Sequence, residues 1–179
     1  MQNKAGFTVI ELLIVLLLIS MFGSFIIPTF LSKKNVVKQQ FIADFATLIQ
    51  DTLYQAITTK KIHQVFFDFD ARTIVVKEHD PNIQDSSTHK QFAPSATINK
   101  ITTPQRLEFR NFYIDHKDEI EQGKIIHDAW FYIMPDGTSQ PVILNIEDQN
   151  PDSLQNEEFA ITINPFYSQV QEHETFQKP

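Results

Sequence analysis

From Phe7 to Phe30 the chain is apolar apart from Ser and Thr positions and one charge, Glu11, and Leu12 to Leu18 is an unbroken apolar block. The run is 24 residues long, enough to cross a bilayer as a helix. A short polar leader, Met1 to Gly6, stands before it with one charge, Lys4. Behind the run the pattern changes. Val37, Phe41, Phe45 and Leu48 recur at spacings of 4, 4 and 3, and Leu53, Ala56 and Ile57 extend the stripe. Lys33, Lys34, Lys38, Gln39, Gln40, Asp44 and Gln50 fall mostly elsewhere. This is helical periodicity with one apolar face. It predicts helix from Phe7 to about Thr59, bent or opened near Pro28, because proline removes a backbone donor and crowds the previous turn. The apolar face is expected to pack on a sheet. A membrane-surface helix is the rival, but the polar face is not strongly basic.

Everything after this reads as β. QVFFDF (64–69) and TIVVK (73–77) flank Asp70-Ala71-Arg72 and predict a hairpin. Residues 79–96 are polar with two prolines and read as a long loop. RLEFRNFYI (106–114) alternates, with Leu107, Phe109 and Asn111 on one face. AWFYIM (129–134) meets Pro135-Asp136-Gly137-Thr138, a turn signal, and PVILNI (141–146) is expected to return as its partner strand. A polar loop follows from Gln149 to Glu158, then a last strand FAITI (159–163) and a polar tail expected to be partly loose. One long helix and then several short strands is the α+β pattern.

Composition narrows the classes. The formal net charge is -7, which argues against nucleic acid as a partner, since phosphate binding needs a basic face. There are no cysteines, so disulfides, thiol catalysis and Cys-based metal sites are excluded.

Three readings of the apolar run compete. A secretory signal peptide needs small residues at -3 and -1, but cuts after Ser24 or Gly23 place Phe22 or Met21 at -3. A plain anchor explains the length and leaves Glu11 unexplained, because a charge at the centre of a membrane helix costs roughly 2.5–3.5 kcal/mol. In the third reading the chain is cut between Gly6 and Phe7. Glu11 then lies one helical turn from the new amine, placed to attract the N-terminal amine of a neighbouring copy.

KAGFTVIELL (4–13) resembles the leader signal of type IV pilins and type II secretion pseudopilins: a short basic leader, Gly before the cut, Phe after it, and Glu five residues in. Pro28 falls 22 residues into the processed chain, where that family often carries a kinking proline. WFYIMPDGTSQPVILNIED and FAITINPF are similar to the C-terminal half of the H-type minor pseudopilins, although Tyr167-Ser168-Gln169 stand where relatives often have a glycine. The resemblance implies a pilin-like α+β fold, with a long N-terminal helix, membrane-spanning in its first half, packed on an antiparallel sheet. Its parts would be a leader (1–6), a transmembrane and assembly helix (7–30), an amphipathic continuation (31–60) and a β-rich globular domain (61–179). It implies cleavage after Gly6 by a prepilin peptidase, N-methylation of Phe7, and assembly roles for Glu11 and Pro28. The partners implied are other pseudopilins and the inner-membrane secretion platform. The position implied is single-pass in a bacterial inner membrane, with the globular domain in the periplasm. Lys33 and Lys34 after the run mildly favour the opposite orientation by the basic-flank rule. A minor type IV pilin for adhesion, twitching or DNA uptake is the alternative machine.

No catalytic constellation stands beside this. The six histidines (63, 79, 89, 116, 127, 173) show no metal-ligand spacing and read as surface or loop residues. Asp68 and Asp70 at i, i+2 could touch calcium, but a solvated strand face is the simpler reading. Asp148, Asp152, Glu157 and Glu158 lack an EF-hand pattern. There is no G-x-S-x-G, G-x-G-x-x-G or P-loop, and the 4 glycines leave little for a phosphate cradle. The chain is expected to be no enzyme and to need no cofactor or metal.

Overall fold

The computed structural model describes residues 9–31, 36–83, 91–98, 100–120, 126–150 and 156–179, with the side chains of the first helix described as far as Ser20. That helix, α1, is Val9–Leu31, and α2 is Val36–Thr59. The chain divides into two compact units, Met1–Val37 and Lys38–Pro179. The helix predicted from Phe7 to Thr59 is therefore helical on both sides of 32–35, which lie outside the described residues.

In the second unit α2 buries Lys38, Phe41, Phe45, Leu48, Ile49, Thr52 and Ala56. The predicted stripe is recovered at Phe41, Phe45, Leu48 and Ala56. It runs through Ile49 and Thr52 rather than Ile57, which is exposed. Thr52 can sit in the core because its hydroxyl donates to Leu48 O at 2.6 Å. Lys60, at φ 58, leaves the helical region and ends α2.

Among the described residues ten strands follow: β1 His63–Asp68, β2 Thr73–His79, β3 Phe92–Pro94, β4 Ile101–Thr102, β5 Leu107–Ile114, β6 Lys117–Asp118, β7 Asp128–Ile133, β8 Val142–Asp148, β9 Glu157–Ile163 and β10 Val170–His173. They form two antiparallel sheets rather than one. The first runs β3-β2-β1-β7, with β4 also on β2; the second runs β10-β9-β8-β5-β6. The β1–β2 hairpin is as predicted, with Val65 opposite Val76 and Phe67 opposite Ile74. The expected 79–96 loop contains a strand, because Phe92 to Pro94 pairs with His79 to Lys77. In β5 the register shifts between Phe109 and Asn111. This bulge switches the inward face, so Leu107 and Phe109 are followed inward by Phe112 and Ile114, not by Asn111.

The PDGT segment makes its turn but not its hairpin. Gly137 N–H donates to Met134 O at 3.0 Å, Met134 N–H to Thr138 O at 2.8 Å, and Gly137 takes φ 91. Pairing then stops at the Ile133–Ser139 bridge. Gln140 is the last residue bonded to β7, and Pro141 faces away from that strand. Instead its carbonyl accepts from Asp115 N–H at 3.2 Å, and the chain passes into the second sheet. β7 consequently pairs with β1, and β8 lies between β5 and β9. Gln140 spans the crossing. Its backbone N–H donates to Tyr132 O at 3.3 Å, its Oε1 accepts from Tyr132 N–H at 3.1 Å, and its Nε2 donates to Asp115 Oδ2 at 2.6 Å.

The core lies where the inner faces of both sheets meet α2. Phe67 of β1 touches Phe112 of β5 edge-on at 4.8 Å, Phe45 of α2 at 6.1 Å and Phe131 of β7 at 6.3 Å. Phe41 meets Phe109 at 6.4 Å. Aromatic pairs in these arrangements add about 0.5–1.5 kcal/mol each beyond burial.

Candidate functional site

The sequence points to the N-terminal segment as the functional element, and its chemistry is assembled residue by residue. Gly6 and Phe7 lie outside the described residues. Glu11 is the acidic residue of the first turn of α1. Around it the helix is apolar on every side: Val9, Ile10, Leu12, Leu13, Ile14 and Val15 are all exposed in the isolated chain. Ser20 donates its hydroxyl to Leu17 O at 2.8 Å, which satisfies the one described hydroxyl of this run without outside help. Pro28 lies within α1. Among the described residues no helix is long and apolar enough to cross a membrane.

The acidic candidates do not converge. Asp68 ends β1, and its Oδ1 accepts from Ala71 N–H at 2.7 Å. Asp70 has left the strand, and its Oδ2 faces His127 Nδ1 at 2.8 Å, so the shared strand face expected for the pair does not form. Asp148 is held by Arg106 through two 2.5 Å contacts, and Glu157 is bonded to Lys38. Asp152 lies outside the described residues. Among the described residues no group of three or more His, Asp or Glu side chains is arranged to hold a metal ion.

Two polar residues expected at the surface, Lys38 from periodicity and His63 among the unclustered histidines, are buried. Lys38 is 4% exposed. Its ammonium meets Glu157 Oε1 and Glu172 Oε1, each at 2.9 Å, and stands 4.8 Å from the centre of the Phe159 ring. Burial lowers its pKa, but hydrogen bonds and attraction from both carboxylates outweigh that and raise it overall. His63 is fully buried, with Nδ1 3.1 Å from Lys61 O. A carbonyl only accepts, so Nδ1 carries the proton, and Nε2 is left without a partner. Burial pushes its pKa down. No signal in the local pattern marks either residue; both are buried by contacts with distant strands.

Comparison with known proteins bears first on the N terminus. Residues 1–27 match the family model of the prokaryotic N-terminal methylation motif. The leading segment thus carries that motif. Among solved structures, one of the minor pseudopilin EpsH from the Type 2 Secretion System of Vibrio cholerae is 16% identical, at a TM-score of 0.49 over 76% of this chain and 95% of that one. A second crystal structure of the Vibrio cholerae minor pseudopilin is 15% identical, at 0.49 over 77% and 94%. No curated protein matches in sequence.

Proposed function

We propose that the chain is a structural minor pseudopilin of a type II secretion system, processed between Gly6 and Phe7 and assembled with other pseudopilins through α1. The observation that carries this is the methylation motif over residues 1–27, with Glu11 in the first turn of an all-round apolar α1. The 24-residue run from Phe7 to Phe30 supports residence in the inner membrane before assembly, with the β-rich unit in the periplasm. Glu11 acts as an assembly residue: in an apolar bundle its carboxylate attracts the amine of a neighbouring subunit and sets axial register. The similarity of the PDGT segment to H-type pseudopilins favours secretion over a type IV pilus.

Co-expression with a prepilin peptidase tests the reading. The chain should lose six residues, mass spectrometry should find a methylated Phe7, and Gly6→Ala should block the cut. An uncut wild-type chain sinks the proposal. Glu11→Ala should leave the cut intact and reduce recovery of partner subunits in pull-downs. Recovery of pilus subunits in place of secretion pseudopilins would move the chain to the pilus machine.

A further inference from the structure

The polar tail expected to be loose is held. Across the outer face of the second sheet, Asn111, Asn145, Ala160 and His173 form one row, each opposite the next on adjacent strands. Their neighbours Phe112, Leu144 and Ile161 point into the core. Outer positions of a solvated sheet are normally wet, yet Asn145 is 2% exposed and Ala160 is fully buried. The chain beyond His173 folds back over them. Asn145 reads the backbone of Gln177 at both of its atoms: Oδ1 accepts Gln177 N–H at 2.9 Å, and Nδ2 donates to Gln177 O at 3.0 Å. Asn145 Nδ2 also lies 3.2 Å from Asn111 Oδ1. The side chain therefore imitates a strand edge, and Ala160 leaves the room for the tail to lie down.

The strand that leads into this tail also carries Glu172. That carboxylate is one of the two holding Lys38, which begins the second compact unit on α2. We infer that the last residues, 174–179, are a strap that locks the start of α2 to the second sheet: docking of Gln177 on Asn145 holds β10 down, and β10 holds Lys38 through Glu172. With the strap docked, Lys38 has two carboxylates. With the strap lifted, by clipping or by a protein that grips residues 174–179, β10 frays and Lys38 keeps only Glu157. The attachment of the start of α2 is thereby made conditional on residues 174–179.

Hydrogen exchange on the full chain in detergent tests this, read at the amides of residues 40–44. The helical acceptors of these amides lie at the start of α2. A chain ending at Glu174, and separately Gln177→Pro, which removes the N–H that Asn145 accepts together with the side-chain amide bonded to Thr175, should raise exchange there about tenfold, the size of one lost charge-assisted hydrogen bond. Protection in β1 and β8 should be unchanged. In a Glu172→Gln background, Gln177→Pro should add little, because the two act through one contact. Freed tail amides with residues 40–44 unchanged would overturn the strap, as would strictly additive effects. Loss of protection everywhere would also overturn it, by making the tail a global stabiliser rather than a lock.

Discussion

Helices α1 and α2 are almost the same length, 23 and 24 residues, and they solve burial in opposite ways. In α2 one stripe is apolar, and that stripe is covered by the chain's own two sheets: Phe45, Ile49 and Ala56 are fully buried, while Gln40, Asp44 and Gln50 are exposed. In α1 every described apolar side chain from Val9 to Ile19 is between 44% and 79% exposed. A helix apolar all round has no solvent face and needs a surrounding medium of lipid or other helices. The contrast teaches that a one-sided stripe finds its cover within its own unit, as α2 does, whereas a helix apolar all round does not.

The sharpest way to break that comparison is to delete core and surface apolar groups in parallel. Phe67→Ala should destabilise the second unit by about 3–5 kcal/mol, because it empties the point where both sheets and α2 meet. Leu16→Ala, on the exposed wall of α1, should leave the denaturant midpoint of that unit unchanged. A comparable loss from Leu16→Ala would show that α1 is buried by its own chain after all. Next in size is Lys38→Met. Its carboxylates are 41% and 31% exposed at the side chain, so water softens the loss of their partner. A drop of about 1–3 kcal/mol is expected, below the full cost of breaking a buried pair. An unchanged midpoint would mean that the α2 stripe is held by its aromatics alone.

Much of α2 and the long strands could be read from spacing, because apolar runs of period 2 and 3.6 report directly which face is covered. The arrangement of those strands could not. AWFYIM and PVILNI look like hairpin partners around PDGT, and they part because the second run finds its partners on both edges elsewhere, in β5 and β9. β10 is not legible in VQEH, which has no alternation and only an edge to pair with. Lys38 and His63 were assigned to the surface because charge and polarity are local properties, whereas their burial comes from β9, β10 and the core. For the candidate site the position is reversed: the methylation motif is legible in residues 1–27 alone, while the described structure begins at Val9.

A smaller effect probes the turn that fooled the pattern. A Cβ on Gly137 would meet only Ile57 Cδ1 at 3.6 Å and Leu53 Cδ1 at 3.7 Å, both ordinary contacts, so the cost of Gly137→Ala is backbone conformation at φ 91 rather than crowding. About 1–2 kcal/mol is expected from that conformation. Thermal unfolding checks it, and a stabilised variant would mean that the turn relaxes into another type.

The smallest effect is one of pH, and it separates buried polarity in the second unit from the apolar wall of α1. Burial lowers the folded-state pKa of His63 below its ordinary 6.5. The folded chain then binds fewer protons than the unfolded chain as the pH falls below that value, so acid favours unfolding. The contribution of neutral His63 is complete above about pH 6.5. It declines as the pH drops from there toward the depressed folded pKa, and is flat again below it. Carboxylates elsewhere add their own acid dependence, which a His63→Leu variant shares. The wild-type chain should therefore lose more of its melting temperature between pH 7.5 and 5 than His63→Leu does. The variant also removes Nε2, which has no partner in the core, so it can match the wild type at neutral pH despite the change of shape. Equal acid losses in the two proteins would mean that His63 gains a proton acceptor on charging, and that the interior beside β1 is less dry than its complete burial indicates.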